Sequence, residues 1–278
     1  MVLQELLNQL KHILESDSEA EQILESLFRK NTKEDFNRLD LVMKLQEKVG
    51  SEFAQQALAI AMRRNAGESL QYLLGEQQFL DHRFLVEKGV LIPRPETEVL
   101  VREVLQTLPD QQDLKGFELG VGSGIISISI LSARPSWKID ATDINPKALM
   151  LSRMNADRLL SFPGALQLST PEKNKIPETK YDFFVSNPPY LSGEDDVTEE
   201  VLKNEPREAL IAEGNDPDYF YKKIAQEAKE YLKPGGWIFL EIPHERSHKI
   251  KEIYEALGSV KVVQDLTKRE RVLVVRLS

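Results

Sequence analysis

At Glu118-Leu119-Gly120-Val121-Gly122-Ser123-Gly124 the chain sets three glycines at alternate positions. Gly116 to Val121 reads as a strand, and a helix opens near Gly124, so the glycines stand at a strand-to-helix junction. Glycine there lets the backbone approach a ligand and take φ values barred to other residues. A dinucleotide fingerprint asks for a further glycine at position 125, where this chain has Ile125. The tighter Gly-x-Gly-x-Gly spacing is typical of S-adenosylmethionine (SAM) sites, which have no pyrophosphate to cradle. Asp143 closes the next strand, about twenty residues on, where a carboxylate can grip two ribose hydroxyls. Alone, the glycines fit an ordinary turn and Asp143 a neighbour of a helix cap. Together they predict a nucleoside cofactor at the switch point of a parallel sheet.

Outward from the loop, helices and strands alternate, the pattern of a mostly parallel α/β sheet. Helix Glu96–Leu108 precedes the glycine strand. Strand Lys138–Thr142, helix Pro146–Asp157 and strand Tyr181–Ser186 follow it. Helix Asp218–Leu232 ends at Lys233-Pro234-Gly235-Gly236, before strand Trp237–Ile242 and helix Ser247–Leu257. Val260–Val263 and Val272–Leu277 read as a closing antiparallel pair. The first quarter reads as helices only. Leu3, Leu6, Leu7, Leu10, Ile13 and Leu14 recur at helical spacing, Ser18 and Glu21 are spaced as a capping box, and Leu39, Val42 and Met43 continue the pattern. Phe53, Ala57, Leu58 and Ile60 follow, stopped by Asn65-Ala66-Gly67. Between these regions Phe79, Phe84–Val86 and Val90–Ile92 are short β-prone runs split by turns. The expected fold is α/β: a Rossmann-like SAM-dependent methyltransferase domain over 94–278, a β-hairpin linker over 76–93, and a helical bundle over 1–75.

Strand Tyr181–Ser186 delivers Asn187-Pro188-Pro189-Tyr190. Such a turn suits methylation of an amide or amine nitrogen on a planar group, a poor nucleophile because its lone pair is delocalised. A site that methylates it must accept its hydrogens, fix its plane and aim the lone pair. The Asn187 side-chain carbonyl and the Pro188 backbone carbonyl are acceptors. The prolines lock the turn, and Tyr190 offers a flat face for the target and a π-cloud for a sulfonium. A proline turn closing a strand is the plainer alternative.

Composition narrows the field. A net charge of -9 and a pI near 5.2 leave no global field for nucleic acid. The absence of cysteine excludes disulfides, thiolate metal sites and a cysteine nucleophile. The acidic, amphipathic start is unlike a signal peptide, and no apolar run is long enough to span a bilayer. The cytoplasm is the expected location.

Four further stretches carry a family likeness: Gln71-Tyr72-Leu73-Leu74-Gly75, Leu91-Ile92-Pro93-Arg94-Pro95-Glu96-Thr97-Glu98, Glu205-Pro206-Arg207-Glu208-Ala209-Leu210 and Arg269-Glu270-Arg271-Val272. With these the chain resembles the bacterial release-factor glutamine methyltransferases, the PrmC/HemK family, over nearly its whole length. The resemblance implies methylation of the glutamine in the Gly-Gly-Gln motif of class 1 peptide release factors. It implies that Gly120, Val121, Gly122, Ser123, Gly124 and Asp143 hold SAM. Asn187 would touch cofactor and substrate, and Pro188, Pro189 and Tyr190 would frame the glutamine amide. Arg94 to Glu98 favour this branch over the ribosomal-protein glutamine methyltransferases.

The chain departs from the family pattern at Glu118, where an Asp is usual, at Leu168-Ser169-Thr170-Pro171 near the expected adenine, and at Pro243 and Arg246. Two other enzyme activities fit parts of the sequence. Methylation of an exocyclic base amine uses the same tetrapeptide on a flipped base. His244-Glu245-Arg246-Ser247-His248 spells the zinc-peptidase pattern. Pro243 puts His244 in a strand-to-helix turn, however, and His12 and His82 lie in remote segments, so no metal is expected. A protein-binding module without catalysis is the non-enzymatic alternative.

Overall fold

A computed structural model describes the chain except residues 33–34, 111, 172–179 and 193–203. The chain divides into Met1–Glu76 and Gln77–Ser278.

The first unit holds α1 (Leu3–Leu14), α2 (Asp17–Thr32), α3 (Arg38–Met43), α4 (Ser51–Asn65) and α5 (Leu70–Leu74). Helix α1 buries Leu3, Leu6, Leu7 and Leu10, the single face its spacing predicts, against Ala20, Ile23, Leu24 and Leu27 of α2 and Ala54, Ala57 and Ala61 of α4. Helix α2 starts earlier than the capping-box spacing suggests. Ser16 Oγ accepts the Glu19 N–H at 3.3 Å, whereas Ser18 lies inside the first turn and accepts from Gln22 Nε2. Helix α3 also differs from its pattern: Leu39, Val42 and Met43 are exposed and Leu41 is the residue buried. Asn37 caps this helix, accepting from the Leu39 and Asp40 N–H groups, so local polar bonds fix where it starts.

The hairpin β1 (Glu76–Phe79) and β2 (His82–Leu85) follows, and the second unit begins within it at Gln77. Phe79 and Phe84 enter its main core, and Val90 packs on Ala148 and Leu151, the β-prone run Val90–Ile92 forming no strand beside the expected hairpin. A 3₁₀ turn, Pro95–Thr97, leads into α6 (Glu98–Thr107). Then come β3 (Lys115–Leu119), α7 (Ile125–Ala133), β4 (Lys138–Thr142), α8 (Pro146–Leu159), β5 (Leu166–Ser169) and β6 (Tyr181–Ser186). The last elements are α9 (Arg207–Leu210), α10 (Tyr219–Tyr231), β7 (Leu232–Glu241), α11 (Ser247–Tyr254), β8 (Gly258–Gln264) and β9 (Glu270–Leu277).

Seven strands form one sheet in the order β5-β4-β3-β6-β7-β9-β8. Strands β3 to β7 pair in parallel, and β9 runs antiparallel to both β7 and β8. This is the expected parallel sheet with its closing antiparallel pair. On one face Ile126, Ile128 and Ile130 of α7 pack with Ile139, Ala141, Phe183 and Val185. On the other, Tyr221 and Ile224 of α10 and Ile250 and Tyr254 of α11 meet Phe184, Ile238 and Leu240. Burial of both faces explains the apolar runs of β6 and β7. Strand β7 begins before the predicted Trp237, because Leu232 already pairs with Tyr181 while Trp237 pairs with Phe183; the residues between them bulge. Edge strand β5 was not expected from the sequence. Among the described residues, no helix is long and apolar enough to cross a membrane.

Candidate functional site

Strand register brings the chemistry together. Leu119 of β3 is paired with Thr142 of β4 and with Ser186 of β6, and Ser186 is paired with Leu240 of β7. The next residues along these strands are Gly120, Asp143, Asn187 and Glu241. All four therefore stand at one level at the ends of their strands, Glu241 as the last residue of β7, on either side of β3, where the chain order reverses.

The glycine loop is tied at several points. Gly120 and Val121 N–H groups donate to the Thr142 carbonyl at 2.9 and 3.0 Å. Ser186 Oγ donates to the Leu119 carbonyl at 2.7 Å, Ser152 Oγ to that of Gly122 at 2.8 Å, and Asn155 Nδ2 to that of Ser123 at 2.9 Å. Gly120 and Gly122 have φ of +77° and +56°, and a Cβ at either would meet nothing within 4 Å. Backbone conformation selects glycine there, and the space beside the loop is open to a ligand. Val121 and Ser123 are buried, so the loop presents backbone rather than their side chains.

Asp143 stands at the loop's edge. Its Oδ2 accepts the Gly122 N–H and its Oδ1 the Asn145 N–H, both at 2.9 Å. Each oxygen keeps a lone pair for a further donor such as a ribose hydroxyl. Burial raises the Asp143 pKa, with Glu208 adding to the rise and the two backbone bonds opposing it. An open glycine loop beside a half-buried acceptor pair fits a nucleoside group. Beneath it Glu118 is fully buried; Ser127 donates to its Oε2 from both backbone and hydroxyl, while Oε1 has no partner. Burial pushes this carboxyl up to about 8, and Asp143 adds to the effect.

Across the register step, Asn187 is half-buried and its Nδ2 donates to Thr97 Oγ1 at 3.3 Å. Pro188 is buried, Pro189 half-buried, and Tyr190 packs against the cluster that includes Tyr221 and Leu240. Burial raises the Tyr190 phenol to about 12, with the Glu241 charge adding. The segment after the tetrapeptide is fixed as well: Leu191 N–H donates to the Leu210 carbonyl and the Ala212 N–H to the Leu191 carbonyl. Arg94 Nη2 meets Glu205 Oε1 at 2.5 Å, and the Glu205 side chain is 3% exposed, so an ion pair joins the Leu91–Glu98 and Glu205–Leu210 stretches. Thr97 lies within the quoted Leu91–Glu98 stretch but had no role beside Asn187 assigned to it, and Glu241 was not singled out. The available signal was an acid within the apolar run Ile238-Phe239-Leu240-Glu241-Ile242.

The zinc-peptidase pattern is not assembled as a pair on one helix. His244 lies in a 3₁₀ turn, where its Nδ1 accepts the Glu270 N–H at 3.2 Å; His248 lies on α11, with its side chain 89% exposed beside Glu252. Among the described residues, no three His, Cys, Asp or Glu side chains are grouped to hold a metal. Arg246 is structural: it meets Asp218 Oδ1 at 2.5 Å, while Lys249 takes Oδ2 at 2.6 Å. Ser169, Thr170 and Pro171 are exposed at the end of β5, and the Ser169 carbonyl accepts the Asp143 N–H.

Sheet order and site define a Rossmann-like methyltransferase domain behind a helical unit. A family model described as methyltransferase small domain matches residues 97–215, and one described as PrmC N-terminal domain matches 2–75. A release factor glutamine methyltransferase of Coxiella burnetii is 35% identical over 260 residues, 93% of this chain and 91% of its own. One from Enterococcus faecalis is 30% identical over 278 residues, 97% of each. Among solved structures, the hMettl16 catalytic domain in complex with an RNA hairpin has a TM-score of 0.55 at 16% identity, covering 81% of both chains, a likeness of fold alone. The chain belongs to the release factor glutamine methyltransferase family.

Proposed function

We propose that this chain transfers a methyl group from SAM to the side-chain amide nitrogen of the glutamine in the Gly-Gly-Gln motif of class 1 peptide release factors. The observation that carries this is the shared rung Leu119–Ser186, which starts the glycine loop and the Asn-Pro-Pro-Tyr turn side by side. The backbone of Gly120 to Gly124 and the Asp143 carboxylate would hold the cofactor. When bound, it supplies an electrophilic methyl group on a sulfonium centre.

Asn187 Oδ1 and the Pro188 carbonyl accept the two amide hydrogens of the glutamine, which fixes the plane and aims the nitrogen. Tyr190 covers one face. Catalysis then rests on positioning and electrostatics. No strong base is needed before attack, because the methylated nitrogen still carrying its extra proton is very acidic and releases it to water afterwards. The helical unit Met1–Glu76 would recognise the release factor, since a glutamine side chain alone is too small to define one protein. Incubation with labelled SAM and purified release factors, followed by mass spectrometry, tests the whole reading. Methyl groups mapped to the Gly-Gly-Gln glutamine support it; label elsewhere, or none, removes it.

A further inference from the structure

We propose that Asn155 ties the glycine loop to residues 85–90, so that SAM binding and the order of that segment are linked and Asn155 sets cofactor affinity. This rests on the cofactor half of the function proposed above and adds positioning residues to it.

Asn155 lies within α8 and is fully buried. Its Oδ1 accepts the Leu85 N–H at 2.7 Å, and its Nδ2 donates to the Leu85 carbonyl at 3.1 Å and to the Ser123 carbonyl at 2.9 Å. Both amide hydrogens are thus used, one on the end of β2 and one on the glycine loop. By giving one bond and taking another, Leu85 fixes the plane of the amide. A flipped amide would set NH₂ against the Leu85 N–H and Oδ1 against the Ser123 carbonyl, two like pairs with no solvent access to relieve them. The backbone of Leu85 therefore decides that the donor end of Asn155 holds Ser123.

The same segment reaches the Asp143 side of the site. Asn145, the N-cap of α8, donates from Nδ2 to the Gly89 carbonyl at 2.7 Å, while its backbone N–H donates to Asp143 Oδ1 at 2.9 Å. Lys147 Nζ, paired with Glu87, donates to the Lys88 carbonyl, and Val90 packs on Ala148 and Leu151. Residues 85–90 are thus laced along α8 by Asn145, Lys147 and Asn155, and the two asparagines also hold Asp143 and Ser123. Ser152, on the same helix, donates to the Gly122 carbonyl at 2.8 Å. N–H and C=O of a trans peptide point in opposite directions, so these pulls turn the Ser123 and Gly124 N–H groups away from α8. A ligand that selects this loop shape favours the laced segment as well, and linkage makes the effect reciprocal.

The test is hydrogen exchange of the full-length enzyme with and without SAM, read by mass spectrometry on peptides covering 85–90, beside SAM affinity by calorimetry. In wild type, SAM should slow exchange of this segment at least about threefold. Asn155→Ala should weaken SAM binding about fivefold or more, the worth of roughly one internal hydrogen bond, and should abolish the SAM-dependent protection. Asn145→Ser keeps a capping oxygen but is too short to reach Gly89, and should reduce that protection with α8 still capped. Ile250→Val, a core loss on the opposite face of the sheet, should lower stability and leave SAM affinity within about threefold of wild type. Unchanged SAM affinity in a folded Asn155→Ala, an equal loss in Ile250→Val, or exchange of 85–90 in wild type that ignores SAM overturns the proposal. The wild-type exchange and Asn145→Ser decide the matter even where Asn155→Ala fails to fold. A wild type that does not bind SAM overturns the cofactor reading, and this inference with it. Linked binding of SAM without methylation of the release-factor glutamine overturns the proposed function and supports the linkage.

Discussion

Replacing Asp143 separates two jobs that one carboxylate performs. It anchors the Gly122 and Asn145 N–H groups at 2.9 Å each and is proposed to hold the cofactor ribose. A hydrogen bond to a charged acceptor is worth about 1.5–3 kcal/mol net. Losing two such bonds in Asp143→Ala would cost about 3–6 kcal/mol if the site stayed dry. Asp143 is only half-buried, so water replaces part of this, and a stability loss near about 2 kcal/mol is expected. For the cofactor, one ribose bond of about 1.5 kcal/mol is already tenfold in affinity. Asp143→Ala should thus bind SAM at least about tenfold more weakly. Asp143→Asn should fall between, since its amide keeps one acceptor and sets an NH₂ against the other backbone N–H. The raised pKa adds a sign. As pH falls, a protonated carboxyl loses acceptor capacity and SAM affinity declines in wild type but not in Asp143→Ala. Calorimetry and urea unfolding read both quantities. Unchanged SAM affinity in a folded Asp143→Ala, with only stability reduced, would show that Asp143 ties the loop and nothing more.

Asn187→Ala should lower turnover on a release factor by a factor on the order of 100 to 1000, the worth of one positioned acceptor in a dry site, while SAM affinity changes less; near wild-type single-turnover rates would strip the tetrapeptide of its role. Replacing His244 and His248 together with Ala should leave methylation largely intact, and zinc analysis should find no stoichiometric metal in either protein. A chain starting at Gln78 should bind SAM yet methylate intact release factor poorly; equal kcat/KM with the full chain would remove the helical unit from recognition.

What the sequence showed most clearly was what a few neighbouring residues decide. Gly120, Gly122 and the two prolines act on their own backbone, so loop and turn were legible, as were β4 and β6 to the residue. Strand β5 was not, because four residues behind Pro163 carry too little pattern. Leu39, Val42 and Met43 look like a buried face, but α3 is only six residues long, too short for spacing to identify a face, and it buries Leu41 instead. The places of Thr97 and Glu241 were hidden for another reason. Thr97 sits in a quoted motif and Glu241 is an acid in an apolar run, but that they stand near Asn187 depends on a turn contact and a strand pairing between segments distant in sequence. The join of Arg94 to Glu205 is of the same kind, spanning 111 positions.

The common rung at Leu119, Ser186 and Leu240 makes strand length part of the chemistry. Because successive side chains alternate between faces, removing one residue from β6 would send Phe183 and Val185 to the opposite side and draw Asn187 back by one step, about 3.3 Å. Substitutions in the loops would retune such a site; a single-residue deletion in any of these strands would dismantle it. Homologous chains could therefore differ freely in loop length while keeping the same count of residues from the sheet's centre to each reacting group.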